Sequence, residues 1–598
     1  MAEQVEPAVL IVGAGPSGLV LALHLRLNNV PVRIIDKQPE FSIGSRATLI
    51  QPRTLEQFSL LGITREEIFE SGVVAHQMRI YAPPAGTTAV KTFNFQEPLE
   101  SRPSVPFTQP VTMSQDIFES ILRSKLEALG TKVELGVELK SILNIGDEPP
   151  VAELHHIKEN RTEMLKVPYL VGADGAKGVC RQLFSIPFLG ETREADKMKI
   201  ADVETDGITN EFWHMWGSFA TAALDFFIFP SSIDLKHVSS VGLKPLGHGN
   251  KFQYQLVGPK VNHEALQTAE DLQNEFWEIS GRKDITFKNV TWITTWRGNM
   301  RLAQSLQSGR RFLIGDAGHC HSPAGGQGMN TSILDAINLS WKLALVHNHH
   351  ASPSLLDSYE SERLPVIAEM LDLTTALHEK VWENKNGIDS KPPPLEATKE
   401  DSTDPMYRPK HFSQIGVNYR GSPIVFDERV SSSQESEGEG SGTSFYHSST
   451  TLQAGDRAPD AELTFTPEIP SLKGPQTLFS FFTPHSHTIL IFPGTSSLKS
   501  EKFVDFFSAI PWAIAQALVV LPKESEEEIP IISGCQFGKD VAGSAYADYG
   551  VGSGAWEHTA VVVRPDGIPG GFAKSVGGLK TYFEKLLGVD GYRMLMSL

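Results

Sequence analysis

Short apolar runs alternate with amphipathic spacings along the first part of the chain. Val9, Leu10, Ile11 and Val12 form an apolar run of strand length. Leu19, Ala22, Leu23 and Leu27 then recur at helical spacing, and residues 32–35 form a second apolar run that ends in Asp36. The pattern predicts strand, helix, strand. Residues 51–62 predict a helix with Leu55 and Phe58 on one face. Residues 115–129 predict another, with Ile117, Phe118, Ile121, Leu122 and Leu126 as its stripe. Residues 132–139 alternate like a strand, and residues 167–172 are an apolar strand. From about Thr192 to Trp296 the texture changes. Residues 226–229 are apolar. Residues 251–257 put Phe252, Tyr254 and Leu256 on one face and Gln253 and Gln255 on the other, and residues 286–295 are rich in β-branched and aromatic side chains. This reads as an inserted antiparallel sheet with one covered and one solvated face. The α/β texture returns at residues 310–317, followed by a glycine-rich loop to Asn330 and a helix over residues 331–346. Tyr359, Glu360, Glu362 and Arg363 lie in the next helix. Residues 392–405 and 431–443 are polar, the second reading as a flexible linker. The tail from Ala454 has strand-like runs at 488–492, 517–521 and 560–564 and a helix-like stretch at 503–509, the pattern of a small α/β unit.

Candidate chemistry enters at the turns. Gly13, Gly15 and Gly18 form G-x-G-x-x-G between the first predicted strand and helix, with Pro16 where a first helical turn tolerates a missing N–H. The first glycine permits the tight turn, the second lets backbone approach a pyrophosphate, and the third lets helix and strand pack closely. The helix N-terminus offers N–H groups and a positive dipole end to phosphate. Asp36 can accept hydrogen bonds from ribose hydroxyls and would repel a 2′-phosphate, so the site suits FAD or NAD rather than NADP. Arg46 is either a solvated loop charge or a cation near a flavin or its diphosphate. Asp174-Gly175 follows a buried strand and is either a turn or a cofactor contact. Phe212, Trp213, His214, Met215 and Trp216 either pack a core or line an aromatic pocket. His319 and His321 lack a ligand set around them, and no metal site is expected.

Composition narrows the classes. The chain of 598 residues has room for several domains, and its 40% hydrophobic and 21% charged content is that of a globular protein. A net charge of −18 argues against nucleic acid and anionic membrane surfaces as partners. The three cysteines form no C-x-x-C, which argues against a disulfide framework or dithiol centre. No basic leader and no membrane-length apolar run is present in this sequence, so a cytoplasmic protein is expected.

Taken together the segments resemble the class A flavoprotein monooxygenases, the group of para-hydroxybenzoate hydroxylase and phenol 2-monooxygenase, over nearly all of the first 370 residues. Residues 13–18 match that family's FAD fingerprint. Residues 169–175 with Arg181 match its D-G motif. Residues 311–330 with Asp335, Asn338, Leu339, Trp341 and Lys342 match its G-D motif and following helix, and residues 45–47 and 53–56 match a further family stretch. The resemblance implies an α/β fold: a Rossmann-like FAD-binding domain from 1–191 and 297–370, an inserted antiparallel β-sheet substrate domain at 192–296, a helical connector and flexible linker at 371–453, and a C-terminal thioredoxin-like domain at 454–598 that lacks C-x-x-C. It implies that Gly13, Gly15, Gly18 and Asp36 hold the ADP half of a non-covalent FAD and that Arg46 and Gln115 contact flavin or its ribityl-diphosphate. Asp316 would bind the ribityl or diphosphate part, and Gly328, Met329 and Asn330 would offer N–H groups to the flavin pyrimidine edge. Asp174 and Gly175 would contact both FAD and NADPH. The implied activity is hydroxylation of a phenolic substrate with NAD(P)H and O₂ through a flavin C4a-hydroperoxide, with polyketide or other secondary-metabolite tailoring as the setting. Baeyer–Villiger or epoxidising oxygen transfer, and a flavin-binding protein without turnover, are the alternatives. Expected partners are a small aromatic substrate and O₂, with a homodimer as the assembly considered. Where some phenol hydroxylases carry an acid shortly after Arg46, this chain has Ala47 and Thr48, which removes the obvious carboxylate base. His214 is the pocket group selected in its place, because an imidazole can bind or deprotonate a phenol near neutral pH.

Overall fold

The computed structural model describes residues 6–144, 146–217, 239–258, 261–382, 408–430, 444–446, 451–466, 476–493, 506, 510–523, 535–551 and 559–597. The fold is mixed α/β. The first apolar run becomes the middle of a six-stranded sheet in the order Gln307–Ser308, Arg311–Leu313, Tyr169–Gly172, Val9–Val12, Val32–Asp36, Val133–Leu135. All neighbours are parallel except the first pair. Val9, Leu10 and Ile11 are fully buried, as a parallel strand covered on both faces requires. The helix Pro16–Leu27 leaves the sheet directly after the glycine turn and packs between the helices Gln115–Ala128 and Gly328–His347. The alternating stretch 132–139 is not one strand. Gly136, at φ +70°, breaks it, so that Val133–Leu135 pairs with Val32–Asp36 while Val137–Ile142 joins a separate antiparallel three-stranded sheet.

The β-rich region forms an eight-stranded sheet in the order His319–Cys320, Thr286–Ala303, Phe188–Asp206, Lys251–Val257, Ser240–Pro245, Trp213–Gly217, Gln77–Tyr81, Ala89–Asn94. It differs from the expected insertion in two ways. Its two longest strands run through the boundaries placed at 191/192 and 296/297, and the two strands at one end of it come from residues 77–94. The sheet is therefore assembled from distant parts of the chain and is continuous with the nucleotide-binding half. Its faces also differ from expectation. The apolar positions Phe252, Tyr254 and Leu256 do pack, together with Trp216 and Leu243, against Leu272 and Phe276 of the helix Ala269–Ser280. The opposite, polar face is not solvated: Asp202, Lys244 and Gln253 are 6%, 7% and 2% exposed. The stretch 44–49 covers them. Ser45 Oγ donates to Asp202 Oδ2 at 2.9 Å, Lys244 Nζ donates to Thr48 Oγ1 at 2.7 Å, and Gln253 Nε2 donates to the Ser45 carbonyl. Buried polar residues need partners, and this loop supplies one to each of the three, though Asp202 Oδ1 is left without one.

The tail forms a seven-stranded sheet ordered Phe426–Asp427, Pro569–Ala573, Thr559–Val563, His487–Phe492, Ala515–Leu521, Cys535–Asp540, Leu463–Thr466. Its edge strand Phe426–Asp427 belongs to the stretch expected to be connector. The proposed linker 431–443, residues 226–229 and all of the helix-like stretch 503–509 except Phe506 lie outside the described residues. One contiguous apolar core takes in Val9 and Ile337 from the first unit and Ile489, Tyr582 and Phe583 from the tail. Across that junction, Arg457 reaches Glu56 at 2.6 and 2.7 Å, and Arg564 reaches Glu362 at 2.6 and 2.9 Å, with all four side chains buried.

Candidate cofactor and substrate site

The glycine turn has the shape its sequence requires. Gly13 stands at φ +107°, and a Cβ there would lie 2.3 Å from the Ala173 carbonyl oxygen. A Cβ at Gly18 would lie 2.1 Å from the Gly13 carbonyl oxygen. These two glycines are thus demanded by the protein's own packing. Gly15 is different: a Cβ there would meet nothing within 4 Å, and its residue caps the helix Pro16–Leu27 with no side chain to fill the space. Open volume at a helix N-terminus is the cradle that a diphosphate needs. Asp36 Oδ2 accepts from the Ala14 N–H at 2.9 Å and Oδ1 from the Gln38 N–H, so the acid holds the glycine turn in place.

The later motif closes on the same turn. A Cβ at Gly315 would lie 2.9 Å from Ser17 Oγ, in the first helix, and 3.0 Å from Ser332 Oγ. Asp316 follows in a single 3₁₀ turn and is open to the cleft. The surrounding protein raises its pKa, while the charges of His319 and Arg46 act against that rise. Arg46 is exposed, and its charge lowers the pKa of both Asp316 and Glu119 against the larger rise that burial causes. Gln115 Oε1 accepts from the Ala47 N–H at 3.0 Å, tying the Arg46 loop to the helix Gln115–Ala128. Arg181 fixes the 3₁₀ turn from behind, donating to the Ala317 carbonyl at 2.8 Å.

The helix Gly328–His347 begins at this cleft. Thr331 N–H donates to the Gln327 carbonyl, so the N–H groups of Gly328, Met329 and Asn330 precede the intrahelical ladder. The Asn330 side chain is fully used: Nδ2 donates to Leu49 and Gly326 carbonyls, and Oδ1 accepts from Gln51 N–H. It therefore acts by shaping the loop, and its backbone remains for a ligand. Beneath lies a buried network that the linear sequence does not advertise. Asp335 accepts from Gly315 N–H at 3.1 Å, His319 Nε2 at 2.7 Å and Arg363 Nε at 2.8 Å. Burial would raise the Asp335 pKa, but Arg363 and His319 hold it below the usual carboxylate range. The signal was the match of Asp335 and Arg363 to helices already recognised; their pairing was not visible.

Asp174 lies beside the glycine turn, its backbone N 2.8 Å from where a Cβ at Gly13 would stand, and its Oδ1 has no partner. Asp174 turns onto its own loop: Oδ2 accepts from Cys180 N–H at 3.0 Å, and a Cβ at Gly178 would touch its carboxylate. Burial raises its pKa, and the start of the short helix Cys180–Leu183 is where a buried carboxylate finds donors. Gly175, at φ +77°, serves that turn. His214 is a correction to the pocket assignment. Its side chain points to the face covered by the helix Ala269–Ser280, stacked with Tyr81 and Trp216. Nδ1 bonds the Tyr81 hydroxyl at 2.7 Å and Nε2 the Thr209 carbonyl at 2.8 Å, and burial lowers its pKa to about 4. Strand alternation decides this: Trp213 and Met215 face the cleft side, and His214 and Trp216 the other.

On the cleft side the registers align a row of side chains across the sheet. Lys244 pairs with Gln253, Gln253 with Asp202, and Asp202 with Trp292, while the Lys244 ammonium lies 4.8 Å from the Trp213 ring centre. Burial raises the Asp202 pKa to about 6 against the Ser45 hydrogen bond, and its Oδ1 has no partner. Two indoles thus bracket three polar groups, facing the loop that carries Arg46.

A glycine turn, a strand-end acid and a helix N-terminus converging on one cleft define a dinucleotide-binding protein. The comparisons agree. The family described as FAD binding domain matches residues 6–374, and the chain belongs to it. A flavin-dependent monooxygenase of Mycobacteroides abscessus is 32% identical over 461 residues, 76% of this chain and 84% of that one. Pentachlorophenol 4-monooxygenase of Sphingobium chlorophenolicum is 28% identical over 571 residues, 94% of this chain and 93% of that one. A flavin-dependent monooxygenase solved in complex with FAD and substrate superposes with TM-score 0.75 at 20% identity, covering 99% of this chain and 100% of that one. The protein is a flavoprotein monooxygenase that binds FAD. Among the described residues no helix is long and apolar enough to cross a membrane.

Proposed function

We propose that the enzyme uses NAD(P)H and O₂ to hydroxylate a phenolic ring in the space between the row Trp213–Lys244–Gln253–Asp202–Trp292 and the loop 325–330. The observation that carries the reading is that three buried polar groups, Lys244, Gln253 and Asp202, stand between two half-buried indoles on the sheet face that meets the loop carrying Arg46. Bound FAD would supply reduction by the nicotinamide and activation of O₂. Gly13, Gly15, Gly18 and Asp36 would hold its ADP half, Arg46, Gln115 and Asp316 its ribityl-diphosphate, and the Gly328, Met329 and Asn330 N–H groups would stabilise negative charge on the reduced pyrimidine edge. The sheet excludes water from the reacting face, which the reaction needs to avoid wasting oxygen as peroxide. The name of the pentachlorophenol relative supports a phenolic substrate.

In this reading residues 6–191 and 297–370 chiefly hold FAD and the eight-stranded sheet covers the substrate. The tail is a thioredoxin-like domain without its dithiol. Supporting that last assignment, Pro569–Ala573, Thr559–Val563, His487–Phe492 and Ala515–Leu521 adjoin in that order, the central pair antiparallel and the last pair parallel, with the helix Val576–Ser597 following. The test is NADPH consumption by the yellow holoenzyme against a panel of phenols, with ¹⁸O₂ and mass spectrometry of the product. One labelled oxygen on a ring carbon is expected. A ring-expanded lactone, an epoxide, or no phenol-stimulated consumption would each refute the reading.

A further inference from the structure

Gln51 follows the short strand Leu49–Ile50 and precedes the helix Pro52–Leu60. Its side chain is wholly buried, yet neither Oε1 nor Nε2 has a partner. Among the described residues no other buried carboxamide leaves both ends unbonded. The side chain does not cap the helix it precedes. The backbone of Gln51 is fully used: its N–H donates to Asn330 Oδ1 at 2.7 Å, and its carbonyl accepts from the Leu55 N–H at 3.0 Å. The same Asn330 side chain holds the Leu49 and Gly326 carbonyls at 2.9 and 2.8 Å. Gly326 stands at φ +63°, and a Cβ on it would lie 3.0 Å from Leu49 Cδ2 and 3.8 Å from Gln51 Nε2. The unbonded carboxamide therefore lies against the turn that leads into the helix Gly328–His347, beside the N–H groups of Gly328, Met329 and Asn330. A buried amide that bonds nothing costs folding free energy, and an apolar side chain of the same size would carry no such cost. A ligand that offers a donor and an acceptor side by side accounts for an amide in this place.

Resting on the placement of the Gly328–Asn330 N–H groups at the flavin pyrimidine edge, we propose that Gln51 is a further cofactor-binding residue. Its carboxamide pairs edge to edge with the imide of the flavin ring, Oε1 accepting from N3–H and Nε2 donating to the C4 carbonyl. A primary carboxamide carries its acceptor and its donors in one plane, and the imide edge presents the complement, so one side chain satisfies two ring positions at once. The division of labour follows from the chemistry of the two elements. A helix start supplies only donors and suits the C2 carbonyl, whereas N3–H needs an acceptor, which the carboxamide provides. Asn330, its own side chain saturated by Leu49, Gly326 and Gln51, ties the helix start to the segment that carries the carboxamide. The contact holds the ring in position and breaks no bond.

The probes are FAD and N3-methyl-FAD, which lacks the N3 proton, each titrated into the full-length chain stripped of flavin, as wild type and as Gln51→Ala, with Kd read from flavin fluorescence. Wild type should bind N3-methyl-FAD at least about tenfold more weakly than FAD, the loss of a hydrogen-bonded pair. Gln51→Ala should bind FAD about tenfold more weakly than wild type does and should no longer distinguish it from N3-methyl-FAD, because the partner of N3–H is gone and the methyl group has room. A merely structural role for Gln51 weakens both flavins alike and keeps the discrimination. Gln51→Met, which keeps the length of the side chain without its polar atoms, repeats the measurement if Gln51→Ala does not fold. Equal discrimination by variant and wild type, FAD bound as tightly by Gln51→Ala as by wild type, or a wild type indifferent to the N3 methyl group would each overturn the proposal. The helix-start placement is checked separately with 2-thio-FAD in wild type: a visible band identical to that of the free compound in water refutes that placement, and the N3 comparison still decides for or against Gln51.

Discussion

Arg564→Met tests whether the tail is a structural part of the flavin-binding unit. Arg564 lies in the tail, yet Nη1 and Nη2 reach Glu362 of the helix Asp357–Trp382 at 2.6 and 2.9 Å. Both side chains are 0% exposed. Glu362 also accepts from Lys342 Nζ at 2.8 Å, Asn338 Nδ2 at 2.6 Å and Ser422 Oγ at 2.6 Å. Lys342 and Asn338 stand on the helix Gly328–His347, so the cluster joins three parts of the fold. Burial works to raise the Glu362 pKa, but Arg564 and Lys342 outweigh it and keep the group ionised. Removing one partner of a buried pair costs about 3–5 kcal/mol, because the other charge stays buried without compensation. Three donors remain on Glu362, which puts the expected loss near the lower end, about 3 kcal/mol, against domain stabilities of roughly 5–15 kcal/mol. The assay is urea unfolding followed by flavin release and by tryptophan emission, Trp341 being in the same interface through Asp566. Both probes should shift together to lower urea, and a Glu362→Gln/Arg564→Met cycle should show a coupling energy above about 0.5 kcal/mol. A loss under about 1 kcal/mol, or tail unfolding with flavin release unmoved, would refute the coupling. The sign of the pH effect follows from the depressed pKa of Glu362: its stabilisation is present above the unfolded carboxylate value and is lost as pH falls below it.

Gly15→Val should yield a folded protein with little FAD, since its side chain enters only the open cradle, whereas Gly18→Val should lower stability itself by meeting the Gly13 carbonyl; equal flavin-to-protein ratios for Gly15→Val and wild type would remove Gly15 from the site. His214→Ala should cost about 2–4 kcal/mol through lost packing and two lost hydrogen bonds, yet leave peroxide release per NADPH unchanged; uncoupling in a fully folded variant would return His214 to the pocket. Lys244 has a pKa lowered from 10.5 to about 7, so the unfolded chain binds more protons between those values and wild-type stability should rise with pH across that window. Lys244→Met should flatten that slope and, below pH 7, be the more stable protein by on the order of 4 kcal/mol; parallel pH–stability curves would contradict it.

Local signals were legible wherever one stretch of chain carries its own reason. The glycine turn after Val9–Val12 needs Gly13 and Gly18 for contacts within a few residues of it or with one neighbouring strand, and those needs are written in the residues themselves. The helices Pro16–Leu27, Gln115–Ala128 and Gly328–His347 followed from apolar spacing, although only Gln115–Ala128 buries a single stripe and the other two are buried on every face. The strand at 251–257 was equally plain, but its polar face was misassigned to solvent. Alternation tells which residues share a face and never what covers it; only the chain crossing back at 44–49 buries Lys244, Gln253 and Asp202. His214 failed for the same reason. One residue's difference in strand phase sends it to the aromatic core and Trp213 to the cleft, and the phase is fixed by pairing with Ser240–Pro245 and Gln77–Tyr81, strands far apart in sequence. The register row from Trp213 to Trp292 and the ion cluster from Lys342 to Arg564 are likewise invisible in one dimension. Each is a set of single polar residues spread over tens to hundreds of positions, individually costly to bury, and brought to hydrogen-bonding distance only by long-range strand pairing and by the tail packing onto the flavin-binding unit.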